Sequence, residues 1–291
     1  MFQRFLSRSP SGFNGSLPFT LPQAEQPPDF HFCRLFPDDD LPMSLARHEH
    51  YLCSQLRLKP AMKVLQVGCG TGHVAVELIR FSNVEVVGVD VDESKVKSAI
   101  ARAEKLRLTD RLTFIHVSDY SDLSSVLSEK SFDVVYAIES LRNAPDFASI
   151  YRELYFALRP GGKLGVFEWC WASSFDVNDP DHCRLAMLLQ STTGISPREP
   201  MARSISAASE GLKAAGMNVL FCEDLGERHD RIPWYSPLER ALSNSRTPWQ
   251  SLEDCDVFGG LSQTAASVIL EAAKLNLFTP MALFIAEKPK N

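Results

Sequence analysis

The sequence contains no apolar run near the roughly 20 residues that a membrane-spanning helix requires. Its seven cysteines, Cys33, Cys53, Cys69, Cys170, Cys183, Cys222 and Cys255, include no pair in C-x-x-C spacing. An odd number at irregular intervals argues against a disulfide scaffold, a zinc ribbon or a thiol redox motif, and suits reduced thiols in a cytosolic enzyme. Basic residues are not in excess: 30 Lys and Arg stand against 36 Asp and Glu, a formal net charge of −6. That balance gives no field to attract nucleic acid or an anionic bilayer. Metal ligands are poorly spaced as well. His48 and His50 are two residues apart, so on a helix they diverge by about 200° and cannot chelate one ion. No metal site is expected.

What is present is an ordinary globular composition, 291 residues with 45% apolar and 23% charged. A chain of this size builds a core without staples. Residues 1–28 are rich in Ser, Pro, Gly and Gln, with Arg4 and Arg8 but no acid before Glu25. Such a segment reads as a disordered tail rather than a transit peptide, because it buries too little apolar surface to offset its ordering entropy. Beyond it a helix is expected over Leu45–Leu58, with Ser44 as N-cap, and then strands and helices alternate. Strands are expected at Lys63–Val67, Glu85–Asp90, Leu112–Val117, Asp133–Ile138 and Lys163–Trp169. Helices are expected at Gly72–Phe81, Glu93–Leu106 and Phe147–Leu158, the last closed by Pro160-Gly161-Gly162. The strands are nearly continuous apolar runs, as in a parallel sheet covered on both faces. The fold class is therefore α/β, a doubly wound, mostly parallel Rossmann-like sheet whose ligand sits at the carboxyl ends of the strands. After Cys170 the rhythm loosens. Helices are expected near His182–Leu189, over Ala207–Ala215 with Gly216 closing it, and over Ser262–Lys274. Strands are expected at Asn218–Cys222 and Met281–Glu287. Residues 225–260 read as an insertion between the last two strands that roofs the pocket.

Glycine is sparse, 15 residues in all, yet Gly68, Gly70 and Gly72 fall at alternate positions where the first strand meets its helix. Glycine permits a sharp turn and close approach of a ligand to the main chain, and the free N–H groups of the helix start favour a polar or negative group. A nicotinamide fingerprint needs a small residue at position 73, which is His73; a P-loop needs Gly-Lys-Ser/Thr, which is absent. G-x-G-x-G after a strand resembles the loop of S-adenosyl-L-methionine-dependent methyltransferases. Asp90 closes the second strand, where an acid can accept both ribose hydroxyls, with Val91 beside it. Ser118, Asp119 and Tyr120 follow the third strand, an arrangement suited to an adenine amino group and ring face.

Further stretches resemble the sterol 24-C-methyltransferase family over roughly residues 30–289. They are Phe30-His31-Phe32, Ala46–Leu52, Val135–Glu139 with Ala144-Pro145, Leu158–Gly162, Phe167-Glu168-Trp169, Glu223-Asp224-Leu225, Ile232-Pro233-Trp234-Tyr235 and Leu277–Met281. The resemblance implies the class I methyltransferase fold. It also implies methyl transfer from S-adenosyl-L-methionine to an isolated alkene, through a cation that then loses a proton. This chain departs from the family pattern in places. Gln66 stands where the first glycine motif usually carries an acid, Asn143 stands where a histidine is usual, and Gln23–Asp29 replace an aromatic segment. Asn143 and the lost aromatic segment point to a diverged relative acting on a terpenoid, polyketide or alkaloid scaffold of secondary metabolism.

Three segments are expected: the tail at 1–28, a cofactor-binding core at 29–170, and a C-terminal part at 171–291 that completes the sheet and the acceptor pocket. Gln66, Gly68, Gly70, Gly72, Asp90, Val91, Ser118, Asp119, Tyr120 and Glu139 are the candidate cofactor residues. Glu139 and Glu168, at the ends of the fourth and fifth strands, are candidate catalytic carboxylates. Each could stabilise positive charge or remove a proton. Phe30, Phe32, His48, Asn143, Trp169, Trp234, Tyr235 and Phe278 are candidates for the acceptor pocket, although for each aromatic taken alone packing in the core is the simpler explanation. The reading is a C-methyltransferase of a lipophilic, unsaturated small molecule. The alternatives are O- or N-methylation, or an isomerase or cyclase that keeps the cofactor without transferring methyl. The expected location is cytoplasmic, with peripheral membrane contact and self-association left open.

Overall fold

The computed structural model describes residues 29–195, 200–228, 232–243, 258 and 260–290. The tail at 1–28, with His229 and Trp249, lies outside them.

Five parallel strands, β1 (Lys63–Val67), β2 (Glu85–Asp90), β3 (Leu112–His116), β4 (Phe132–Ile138) and β5 (Leu158–Trp171), are joined by β6 (Asn218–Asp224) and β7 (Phe278–Glu287). They form one seven-stranded sheet in the order β3-β2-β1-β4-β5-β7-β6, with β7 antiparallel to both neighbours. Side chains alternate across it. Val64, Val134 and Tyr136 enter one buried cluster, with α1 (Leu41–Leu56), α2 (His73–Ser82), α3 (Glu93–Leu106), α5 (Pro180–Thr193), α7 (Ser236–Ser243) and α8 (Gln263–Lys274). Leu65, Val67, Val135 and Ala137 enter the other, with α4 (Phe147–Ala157) and α6 (Ile205–Ala214). A strand covered on both faces needs apolar residues at every position, which explains the unbroken runs.

Several local expectations shift. Helix α1 begins at Leu41, not Leu45, because the Asp40 carboxylate caps the Met43 N–H and Pro42 occupies the first turn. Ser44 is then inside the helix, its N–H bonded to Asp40 O. Strand β5 is longer at both ends than expected. Leu158 already pairs with Phe132, and Pro160-Gly161-Gly162 lies within the strand, where the Gly161 N–H donates to Lys288 O and Gly162 O accepts from the Lys288 N–H. At the other end Trp171 pairs with Phe278, so β7 also starts early. Pro280 is tolerated there because Pro280 and Met281 together oppose Trp169 in a bulge, where a missing N–H costs no ladder bond. Residues 225–260, expected to be irregular, contain α7. Trp234 from this segment packs edge-on against Phe32 at 5.1 Å between ring centroids, and Phe258 packs against Phe30 at 5.2 Å.

The strand order reverses between β1 and β4. At that point Gly68 and Ser140 meet so closely that a Cβ on Gly68 would lie 2.1 Å from Ser140 Cβ. The crevice of a doubly wound sheet opens at this reversal, above the carboxyl ends of the strands.

Candidate cofactor and acceptor site

A cavity of about 400 Å³ occupies that crevice. Its wall takes Gln66 from β1, Gly68 and Gly70 from the following turn, Asp90 and Val91 from the end of β2, Asp119 and Tyr120 from beyond β3, and Glu139 from beyond β4. Eight of the ten residues assigned to the cofactor from the sequence therefore meet in one place. Ser118 is exposed and outside the wall. Gly72 also lies outside it. A Cβ there would sit 2.9 Å from Phe114 Cζ and 3.1 Å from Ala99 Cβ, so this glycine lets α3 close on the turn.

The three glycines have φ of +78°, +53° and +84°, the left-handed region that other residues enter only with strain. The turn is tied to β2 because Asp90 Oδ2 accepts the Gly70 N–H at 2.8 Å, while Asp90 Oδ1 accepts the Asp92 N–H at 3.0 Å. Asp119 accepts the Ser121 N–H at 2.8 Å and starts a short 3₁₀ turn. Both acids thus hold loops and face the cavity. Each oxygen can accept a second hydrogen bond, so the structural duty leaves capacity for hydroxyl or amino donors of a ligand. Gln66 is 2% exposed and its Oε1 accepts no hydrogen bond among the described residues. A buried acceptor without a partner, on a residue of this wall, fits a donor group carried by a ligand.

Glu139 is the most unusual residue of the wall. It follows β4 at φ +54°, a conformation that costs a non-glycine residue about 1–2 kcal/mol. Its Oε1 accepts the Phe32 N–H at 2.6 Å and its Oε2 accepts the Trp169 indole N–H at 2.9 Å. Burial pushes its pKa up to about 7, against the charge of His31 and these two hydrogen bonds. His31 lines the same cavity and bonds Glu49 at 3.1 Å. Burial disfavours the imidazolium of His31, but the hydrogen bond and charge of Glu49, with the charge of Glu139, raise its pKa on balance.

Glu168, the second candidate carboxylate, is elsewhere. It precedes Trp169 on β5, so it points to the opposite face of the sheet. There it pairs with buried Arg203 at 3.3 Å, and that guanidinium also donates to Trp169 O and Leu141 O. Burial pushes Glu168 up to about 7, and Arg203 offsets only part of this.

Of the acceptor-pocket candidates, Phe30 and Asn143 reach the cavity wall. Phe32, Trp169, Trp234 and Phe278 lie behind it as a buried aromatic cluster, joined by the Phe32–Trp169 contact at 6.1 Å and the Trp169–Phe278 contact at 5.4 Å. Tyr235 meets Trp234 at 5.6 Å, and His48 stacks on Phe167 at 4.0 Å. Burial lowers the pKa of His48 and keeps it neutral, with His31 and Arg34 adding to the effect. Among the wall residues that the sequence does not single out are Asp29 and Arg142. Neither belongs to a glycine motif or a strand end, and only the path of the chain reveals them. Among the described residues no group of three or more His, Cys, Asp or Glu could hold a metal ion. None of the described helices is long and apolar enough to cross a membrane.

Residues 58–192 match the model of a methyltransferase domain, and residues 259–290 match the sterol methyltransferase C-terminal model. The sterol 24-C-methyltransferase of Aspergillus fumigatus is 33% identical over 288 residues, which span 90% of this chain and 74% of that protein. The chain belongs to the sterol 24-C-methyltransferase family. The enzyme of Saccharomyces cerevisiae is 32% identical over 289 residues, with the same coverage of both chains. As a family member, the protein is a methyltransferase whose methyl donor is S-adenosyl-L-methionine. Solved structures agree in fold. The [4+2]-cyclase SpnF superposes with a TM-score of 0.66 at 22% identity, covering 89% of this chain and 86% of its own. Geranyl diphosphate C-methyltransferase from Streptomyces coelicolor superposes with a TM-score of 0.66 at 17% identity, covering 85% and 79%.

Proposed function

We propose that this family member methylates a carbon–carbon double bond in a lipophilic small molecule of sterol or terpenoid type, with Glu139 as the group that stabilises the resulting cation and accepts its proton. The observation that carries the reading is the Glu139 carboxylate, buried in the cavity wall, oriented by Phe32 and Trp169, with a pKa near 7. The names of the curated relatives, sterol 24-C-methyltransferases, support this acceptor class.

The bound donor supplies an electrophilic methyl on a sulfonium sulfur. In the site assigned to it, Asp90 would accept from the ribose hydroxyls, Asp119 and Tyr120 would meet the base, and the Gly68–Gly70 turn would receive the amino-acid end. Transfer of that methyl to the alkene would form a C–C bond at the expense of the C–S bond and would leave positive charge on the neighbouring carbon. A carboxylate at that point stabilises the charge in a site of low dielectric. Loss of a proton to Glu139 then regenerates an alkene. A pKa near 7 leaves much of Glu139 ionised and able to act as base at neutral pH. Trp169 and Phe32 hold the carboxylate in one position, which lowers the reorganisation needed during the step.

A second reading rests on Arg142. This guanidinium is at the cavity wall over the face of Trp169, 5.1 Å from the ring centroid, and makes no hydrogen bond or ion pair with a described residue. A cation beside a sulfonium favours an acceptor that carries negative charge, such as a carboxylate, phenolate or enolate. O-methylation of such a group is the alternative.

The deciding experiment incubates the protein with methyl-labelled S-adenosyl-L-methionine and a neutral side-chain alkene sterol or a lipophilic acid. Label in a carbon-bound methyl group supports the first reading, and label in a methyl ester or ether supports the second. Conversion of an acceptor without gain of mass would remove both in favour of an isomerase or cyclase.

A further inference from the structure

S-Adenosyl-L-methionine brings an α-ammonium into its cavity, and a partly buried ammonium needs acceptors, one of them preferably charged. Strand β1 does not supply the charge, because Gln66 is neutral. Five acids line the cavity: Asp29, Asp90, Asp92, Asp119 and Glu139. Asp92 caps α3 through the N–H groups of Ser94 and Lys95. Asp90 and Asp119 stand at the ends of β2 and β3, and Glu139 is pinned beyond β4. The remaining acid is Asp29, on the segment that precedes α1.

Asp29 lies on the bare face of the glycine turn. Its Oδ2 accepts the Thr71 N–H at 2.8 Å and its Oδ1 accepts the Thr71 hydroxyl at 3.0 Å. A Cβ on Gly70 would come 2.6 Å from Asp29 Oδ2. On the same cavity wall, Gln66 Oε1 is buried and accepts nothing among the described residues. A charged acceptor on the turn and a neutral, unfilled acceptor on β1 together match an ammonium.

We propose that Asp29 and Gln66 Oε1 form the seat of the cofactor ammonium, the N-terminal segment supplying the charge that β1 lacks. The proposal rests on the reading of this cavity as the cofactor site. It also links the two ends of the site, because Phe32, three residues after Asp29, donates its N–H to Glu139.

The test is calorimetry on the full chain with two probes: S-adenosylhomocysteine, which has the ammonium, and 5′-methylthioadenosine, which lacks the amino-acid end. Asp29→Asn should weaken S-adenosylhomocysteine at least about tenfold, the scale of a hydrogen bond to a charged group, and leave 5′-methylthioadenosine within about twofold. Adding Gln66→Glu to Asp29→Asn should restore most of the loss by returning the charge to β1. An equal loss for both probes would make Asp29 only a lock on the turn, and either no loss or no rescue would also overturn the proposal. If wild-type protein binds neither probe, the cofactor reading of the cavity fails with it. Circular dichroism and melting of each variant separate these outcomes from misfolding.

Discussion

Trp169 donates its indole N–H to Glu139 Oε2 at 2.9 Å, so a residue buried behind the cavity wall orients the carboxylate that faces into it. Glu139→Gln should keep cofactor affinity and lower turnover at least about 100-fold, the usual scale of a lost acid–base group. Trp169→Phe removes a hydrogen bond that favours the ionised form. The rise of kcat/KM with pH, expected near the Glu139 pKa of about 7, should then move up by about one pH unit. Unchanged turnover in Glu139→Gln would reduce this residue to a structural anchor of Phe32.

Stability should fall as pH rises through neutrality. Burial raises the pKa of Glu139 to about 7, so the folded chain holds a proton that the unfolded chain releases near the ordinary value of 4.5. The corresponding stability is fully present below 4.5 and is lost as pH climbs through 7, the opposite of a carboxylate whose pKa is depressed. Glu168 has the same direction and adds to the slope. Thermal melting between pH 5 and 8 should show the decline, and Glu139→Gln should flatten part of it. Identical pH profiles of melting temperature for wild type and Glu139→Gln over this interval would contradict the neutral, buried form.

The glycines of the turn should separate binding from folding. At Gly70, φ +53° and the contact with Asp29 mean that Gly70→Val displaces that carboxylate and fills the cavity edge. Cofactor binding by calorimetry should disappear while circular dichroism stays near native. Gly72 faces Phe114 and Ala99, so Gly72→Ala should cost about 1–3 kcal/mol of stability from strain and overpacking, with little direct effect on the cofactor. Retained binding in Gly70→Val would show that the ligand does not lie on this turn.

Arg142 distinguishes the acceptor classes. Arg142→Gln removes a cation from the neighbourhood of Glu139 and Trp169. For a neutral alkene acceptor, kcat should be maintained or rise. For an anionic acceptor, KM should rise at least about tenfold, the value of a charge-assisted hydrogen bond. Steady-state kinetics with one acceptor of each class reads the difference directly.

The sheet was legible because its cause is local. Continuous apolar runs such as Lys63–Val67 and Glu85–Asp90 recur with helices between them, and both strands begin and end where the pattern predicts. The glycine turn was legible for the same reason, since sharp turns between strand and helix depend on a few adjacent residues. Boundaries moved where two signals competed. Asp40 and Ser44 can both cap a helix, and Pro42 decides for Asp40 by preferring the first turn. At β7, Pro280 reads as a terminator in sequence, and only the bulge opposite Trp169 shows that the strand continues through it.

The amino-acid sequence alone determined the doubly wound α/β class, the place of the ligand crevice, and the acids at the ends of β2, β3 and β4. Each follows from neighbours in the chain. Tertiary structure decided how those residues divide their roles. It set Glu168 against Arg203, 35 residues away in the chain, instead of at the cavity wall beside Glu139. It also withdrew Phe32, Trp169, Trp234 and Phe278 behind the cavity wall, and brought Asp29 onto a turn 42 residues away. Contacts of that range depend on how the whole chain packs, and no local pattern encodes them.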